Sequence, residues 1–248
     1  MTKSIALYPC WFMLNTMNKY IHGSSGLISR HFIEHSSSLG QLLYWHNQHG
    51  INIQVREHQQ LRWLLINNTL QSVILTRSPQ VLLFPHLAYL ATVWQQRPAP
   101  KKILELGLGG GAIRNYLLKQ YPQAQLTSVE KNPHIIDCYQ DFFALNEKGQ
   151  IYCEDAQTVL KSAVNIDWII LDLFSELDAP RFLFDQCFYQ TIYEALAQRG
   201  ILFINFLSQH SSQLTQLQLV LKHVFGEAVS IKKITGFVNH IVVVEKTL

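Results

Sequence analysis

The stretch whose reading decides the fold is Lys101–Asn132, "KKILELGLGGGAIRNYLLKQYPQAQLTSVEKN". It sets an apolar run, then Gly107, Gly109 and Gly111 within five residues, then a helical pattern, a second apolar run and the acid Glu130. Glycines directly after a buried strand and before a helix let the backbone turn tightly and approach a ligand. The helix start adds unpaired amides and the positive end of a dipole. Glu130 follows the glycines by about 20 residues, the distance at which a carboxylate meets ribose hydroxyls.

Outward from this stretch the pattern repeats. "QIYCED", "DWIILDL" and "GILFINFL" are further apolar runs separated by helix-length segments. Such runs are parallel strands buried on both faces, and their alternation with helices predicts a doubly wound α/β sheet. Asn132–Pro133 reads as an N-cap and first-turn proline for a helix reaching about Leu145, and Gly200 as a C-terminal cap of the helix through "YQTIYEALAQR". The chain's end differs: "AVSIKKI", a turn at Gly236 and "NHIVVVEK" predict an antiparallel hairpin.

Asp155 closes the third strand and Asp172 the fourth. With Glu130 they place carboxylates on successive strands at the edge where open α/β sheets bind ligands. Asp155 also reads as the cap of a short helix. Together the acids and the glycine turn predict an adenosine-containing ligand. A dinucleotide remains an alternative, because Gly107, Gly109 and Ala112 satisfy the GxGxxG/A form.

N-terminal to this sheet, "INIQVRE", "LRWLLIN" and "LQSVILT" alternate as short antiparallel strands between Ile51 and Thr76. "VLLFPHLAYLATVW" becomes helical from about His86, and "QQRPAPKK" reads as a link. The organisation expected is an arm at 1–48, irregular or partly helical, a small β-hairpin domain with its connecting helix at 49–98, and a nucleoside-binding domain at 99–248.

Composition narrows the function classes. A net charge of +3 with only 15% charged residues, dispersed, gives no nucleic-acid surface. The apolar run of "MTKSIALYPCWFMLNTM" is broken by Pro9 and Asn15, so neither a membrane span nor a cleaved leader is expected. Cys10, Cys138, Cys153 and Cys187 lack metal-type spacing and read as small buried hydrophobes in a reducing, cytoplasmic compartment.

These residues resemble the spermidine synthase family of polyamine aminopropyltransferases, which has the class I AdoMet-dependent methyltransferase fold behind an N-terminal β-hairpin domain. The resemblance runs from about Ile51 to the end, on "LLINNTLQS", "ILELGLGGG", "VEKNP", "CEDAQ", "DWIILDLFS" and "FLFDQCFYQTIYEALAQRGILFIN". It implies a transferase that takes decarboxylated AdoMet or AdoMet as co-substrate, with a small-molecule amine as acceptor, no metal and a homodimer. By the same resemblance Glu130 holds the ribose hydroxyls, and Asp155 with Ala156 the adenine. Gly107, Gly109 and Gly111 form the cofactor loop, Gln71 contacts the cofactor's amine or sulfonium side, and Asp172 helps deprotonate and orient the amine.

The chain departs from the family pattern in the amine pocket. Ser175 stands where the second acid of the DSSDP-like motif belongs, with Glu176 adjacent. Pro85–His86 replaces the family's Tyr-His pair, and Gly110 replaces an acid in the glycine loop. His86 and Ser175 are the remaining candidate substrate contacts. Methyl transfer from AdoMet and a non-catalytic nucleoside-binding protein stay as alternative functions.

Overall fold

The protein is described from a computed structural model, which covers residues 18–145, 148–173, 180–208 and 210–247. Its framework is two sheets. The smaller is a four-stranded antiparallel meander of β1 (Gln41–Gln48), β2 (Ile51–His58), β3 (Leu61–Ile66) and β4 (Thr69–Leu75). The larger has seven strands: β5 (Lys102–Leu106), β6 (Gln125–Glu130), β7 (Gln150–Cys153), β8 (Ile166–Leu171), β9 (Leu196–Leu207), β10 (Val229–Lys233) and β11 (Asn239–Glu245). Their order is β10-β11-β9-β8-β5-β6-β7. Strands β5 to β9 run parallel, and β11 pairs antiparallel with both β9 and β10. This is the α/β, mostly parallel sheet with a terminal hairpin that the sequence predicts.

The helices are α1 (Arg30–His35), α2 (Pro85–Gln95), α3 (Ala112–Gln120), α4 (Pro133–Cys138), α5 (Ala156–Leu160), α6 (Gln186–Ala195) and α7 (Ser211–Phe225). They cover both faces of the larger sheet, so neighbouring residues of a strand point into different cores. On β8, Trp168 and Ile170 join the core shared with the smaller sheet, α2 and α3. Ile169 and Leu171 pack with α5, α6 and α7 on the opposite face. Burial on both faces is what makes these strands read as unbroken apolar runs.

The smaller sheet is fastened to the larger unit by specific contacts. Arg62 Nη1 donates to the Phe142 carbonyl at 2.6 Å, and the His46 ring lies 3.7 Å from that of His134. Trp63 is fully buried and donates through Nε1 to the Ser36 carbonyl at 3.0 Å, which anchors the segment around α1.

Four expectations are corrected. Residues 41–48, expected within an irregular or partly helical arm, form β1; as an edge strand it is largely exposed and lacks the alternation that marks its partners. Gly200 does not cap α6, which stops at Ala195. It lies inside β9, where a Cβ would meet the Ala197 and Ile166 carbonyls at 2.8 and 2.9 Å. The helix capped by Asn132 ends at Cys138 and continues to Phe143 as a π-helical turn, not to Leu145. Cys138 is buried, but Cys153 and Cys187 are exposed because one ends the edge strand β7 and the other opens α6; Cys10 lies outside the described residues. Among the described residues no helix is long and apolar enough to cross a membrane.

Candidate active site

Strand β5 lies between β6 and β8, so the chain leaves it in opposite directions across the sheet, and the carboxyl ends of these strands form the edge at which open α/β sheets take ligands. The glycine turn follows β5, Glu130 ends β6, Asp155 follows β7 and Asp172 follows β8. All four features therefore stand along one edge on neighbouring strands.

The glycines answer to different demands. Gly107 has φ +97°, and a Cβ there would fall 2.2 Å from the Asp172 carbonyl oxygen, so its bareness lets β5 and β8 end side by side. Gly111 has φ +67° and stands before α3, with the Tyr139 ring 2.1 Å from where its Cβ would be. Gly109, at φ +50°, has nothing within 4 Å of that position. Its open side is the part of the turn that a ligand could approach.

Gly110 explains one departure from the family pattern, the missing acid of the glycine loop. A Cβ there would stand 2.7 Å from Ser72 Cβ and 2.9 Å from Ser72 Oγ. Strand β4 thus closes the position at which the family pattern carries an acid.

The Glu130 carboxylate is ordered before any ligand arrives. Oε1 accepts from the Asn132 amide at 3.0 Å and Oε2 from the Leu108 amide at 3.4 Å. Burial raises its pKa, while these amides and that of Gly109 oppose the rise. The carboxylate keeps acceptor capacity beyond these amides with which to meet a diol. Asp155 is the N-cap of α5: its Oδ1 accepts from the Gln157 amide at 2.8 Å, and Ala156 is buried at the first helical position.

Asp172 is pushed up to a pKa of about 6 by burial, against a bond from Asn205 Nδ2 to its Oδ1 at 2.7 Å. A carboxyl poised near neutrality can take a proton from a bound ammonium. Across β4, Gln71 Oε1 is buried with no hydrogen-bond partner. A buried acceptor of that kind costs stability unless something donates to it.

His86 stands in the first turn of α2, its ring 5.1 Å from that of Phe84, with Nδ1 buried and unpartnered. Burial pushes its pKa down to about 3, so the ring is neutral at physiological pH. Ser175 lies outside the described residues.

Sequence reasoning missed two groups beside this edge. Glu105, on β5, is fully buried and accepts from Ser128 Oγ; its pKa is raised to about 8 by burial, against Ser128 and Arg114. Arg114 in turn donates to Ser128 Oγ at 2.7 Å and to the Lys148 carbonyl at 2.7 Å, which ties the approach to β7. Asn205, on β9, is the second group. An acid inside "ILELGLG" and an amide inside "GILFINFL" were the available signals, since polar residues in doubly buried strands need partners.

The set of acceptors suits an adenosine bearing a cationic sulfur: a pre-ordered carboxylate, an unpaired buried carbonyl and a second carboxylate beside an open glycine turn. Comparisons with known proteins agree with that chemistry. The family model for the spermine/spermidine synthase domain matches residues 85–235. The polyamine aminopropyltransferase of Vibrio vulnificus is 27% identical over 208 residues, 79% of this chain and 69% of that protein. The enzyme of the same name from Chromobacterium violaceum is 27% identical over 63% of this chain and 62% of its own length.

Among solved structures, a probable spermidine synthase from Corynebacterium glutamicum superposes with a TM-score of 0.72 at 22% identity, covering 84% of this chain and 81% of that one. Human methyltransferase-like protein 13 in complex with SAH superposes at 0.56 with 22% identity, over 64% of this chain and 80% of that one. Both likenesses show the shared fold. The chain belongs to the spermine/spermidine synthase family, a family of transferases.

Proposed function

We propose that this protein is an aminopropyltransferase that moves the aminopropyl group of decarboxylated AdoMet to a small-molecule amine. Glu130 receives the ribose hydroxyls, Asp155 and Ala156 the adenine edge, and the turn Gly107, Gly109 and Gly111 passes beneath the nucleoside. Gln71 Oε1 accepts from the co-substrate's ammonium. Asp172 takes a proton from the acceptor ammonium, and the freed nitrogen lone pair attacks the methylene carbon beside the sulfonium. A C–N bond forms as the C–S bond breaks, and methylthioadenosine leaves with the electron pair on sulfur. His86, neutral, is a hydrogen-bonding wall of the acceptor site.

The observation that carries this reading is a carboxyl with a pKa of about 6 on the strand next to the glycine turn, at the sheet edge that also holds Glu130. Such a group is ionised at neutral pH yet a better base than an ordinary aspartate. Supporting it are the relatives named above and a likeness to a spermidine synthase in complex with the transition state analogue AdoDATO, at a TM-score of 0.64 and 17% identity.

One observation favours methyl transfer as a second reading. Ser72 closes the Gly110 position against an acid, which removes from the glycine loop a carboxylate that an ammonium would favour. The experiment offers decarboxylated AdoMet or AdoMet with a panel of di- and polyamines and follows methylthioadenosine against S-adenosylhomocysteine. Aminopropyl transfer releases the former; Asp172→Asn abolishes its release while calorimetric binding of methylthioadenosine persists. S-adenosylhomocysteine as the only product would replace this reading with the methyl-transfer one, and no binding of any nucleoside would refute both.

A further inference from the structure

Asp172 is not held by the glycine edge alone. In the parallel register of β8 and β9, Leu171 stands opposite Ile204, so the next pair in line is Asp172 and Asn205. Asn205 donates through Nδ2 to Asp172 Oδ1 at 2.7 Å. On the other side of β9, Asn205 is opposite Ile241 of β11, which makes Asn239 its diagonal neighbour on the same face. Asn239 donates through Nδ2 to Asn205 Oδ1 at 2.9 Å. Both asparagines are buried, at 4% and 6% exposure, so neither can exchange its partner for water.

The chain of bonds has a direction. An ionised carboxylate only accepts, so Asn205 must turn its amino group to Asp172 and its carbonyl away. That carbonyl then needs a donor, and Asn239 supplies it. An amide is nearly symmetric in shape, so without Asn239 the Asn205 group could turn over at little steric cost. Its carbonyl would then face Asp172 and favour the protonated acid.

We infer that Asn239 is a positioning residue that acts through Asn205: it locks the Asn205 amide with its donor toward Asp172, keeping that carboxyl ionised and its Oδ1 fixed. The inference rests on the reading of Asp172 as the amine's base. Asn239 itself touches neither Asp172 nor the glycine turn through any hydrogen bond of the described residues. Among the described residues Glu105 on β5 is coupled electrostatically to Asp172, and it is left unchanged by substitutions at 205 and 239.

The test separates the relay from the reaction. Full-length protein labelled with 13C at aspartate side-chain carboxyls is titrated by NMR, with Asp172→Asn to assign the resonance. Wild type is compared with Asn239→Ala, Asn239→Asp and Asn205→Ser. The Asp172 titration is expected to move upward by about one pH unit in Asn239→Ala and Asn205→Ser, the shift that loss of one charge-assisted bond produces. Asn239→Asp, which draws the Asn205 amino group to itself, moves it at least as far.

The acid limb of kcat should rise by the same amount while KM for the nucleoside holds, a split that a merely structural defect would not give. Folding is checked by circular dichroism, and three substitutions at two sites leave a readable variant if one fails to fold. An Asp172 titration unmoved in the folded variants overturns the relay whatever the activity. A shifted titration in a protein without aminopropyl turnover keeps the relay and discards the proposed reaction.

Discussion

The Cβ of any other residue at position 107 would stand 2.2 Å from the backbone oxygen of Asp172. The first glycine of the turn is thus required by the strand that leads into Asp172. Two strands can end this close, with the Asp172 amide donating to the Leu106 carbonyl at 2.9 Å, only if one of them lacks a side chain there.

Gly107→Ala should therefore be destabilising by about 2 kcal/mol or more, combining a left-handed φ with a backbone clash. Urea denaturation measures this. A cost below about 0.5 kcal/mol would mean that the two strand ends separate freely.

The Gly110–Ser72 contact makes a coupled prediction. Gly110→Ala should cost about 1–3 kcal/mol, as overpacking does, because β4 must retreat from the turn. Ser72→Gly removes both atoms that the new methyl meets, so the double variant should recover most of the loss. Simple additivity in the double variant would show that the clash lies elsewhere.

Glu130→Ala should weaken methylthioadenosine binding by about 1–3 kcal/mol, the usual cost of removing a charge-assisted partner. Calorimetry reads it directly. The amides of Leu108 and Asn132 lose their acceptor in the same variant, so a drop in stability should accompany the drop in affinity. Unchanged affinity would remove Glu130 from the nucleoside site.

His86 sets the sign of a pH effect. Its folded pKa of about 3 lies below the unfolded value of 6.5, so between these limits the unfolded chain binds a proton that the folded one refuses. Stability present above pH 6.5 is lost as the pH falls, at up to about 1.4 kcal/mol per unit. From pH 6.5 to 5, wild type should lose about 1.6 kcal/mol more than His86→Gln in urea titrations. Parallel losses in the two proteins would mean that the imidazole protonates without opening the structure.

The larger sheet was legible because burial on both faces writes each strand as one apolar run, and the glycine turn and Glu130 punctuate it at a recognisable distance. The smaller sheet was legible only from Ile51 onward. Strand β1 has one covered face at most, its Trp45 is 59% exposed, and its residues show no period that sequence could report. Gly200 misled for a different reason. Arg199 takes the left-handed φ of 60° that a cap would need, while the glycine answers to a carbonyl of β8 that sequence distance conceals.

The candidate site divides the same way. Glu130, Asp155 and Asp172 were legible because each ends a strand, and a strand's end is a local event. Asn205, Asn239 and Ser72 act through register across three strands or through packing between sheets, and no local pattern reports either. Glu105 was visible as an acid in a buried run, yet its partner Ser128 lies one strand away.

One core joins Val55, Trp63 and Leu64 of the smaller sheet to Trp94 of α2, Ile103 of β5 and Phe203 of β9 without interruption. Neither sheet keeps a complete apolar interior once the other is removed. Heating or denaturant should accordingly melt both together in a single cooperative transition, and a fragment beginning at the glycine-bearing strand should be expressed as an aggregating, incompletely folded polypeptide.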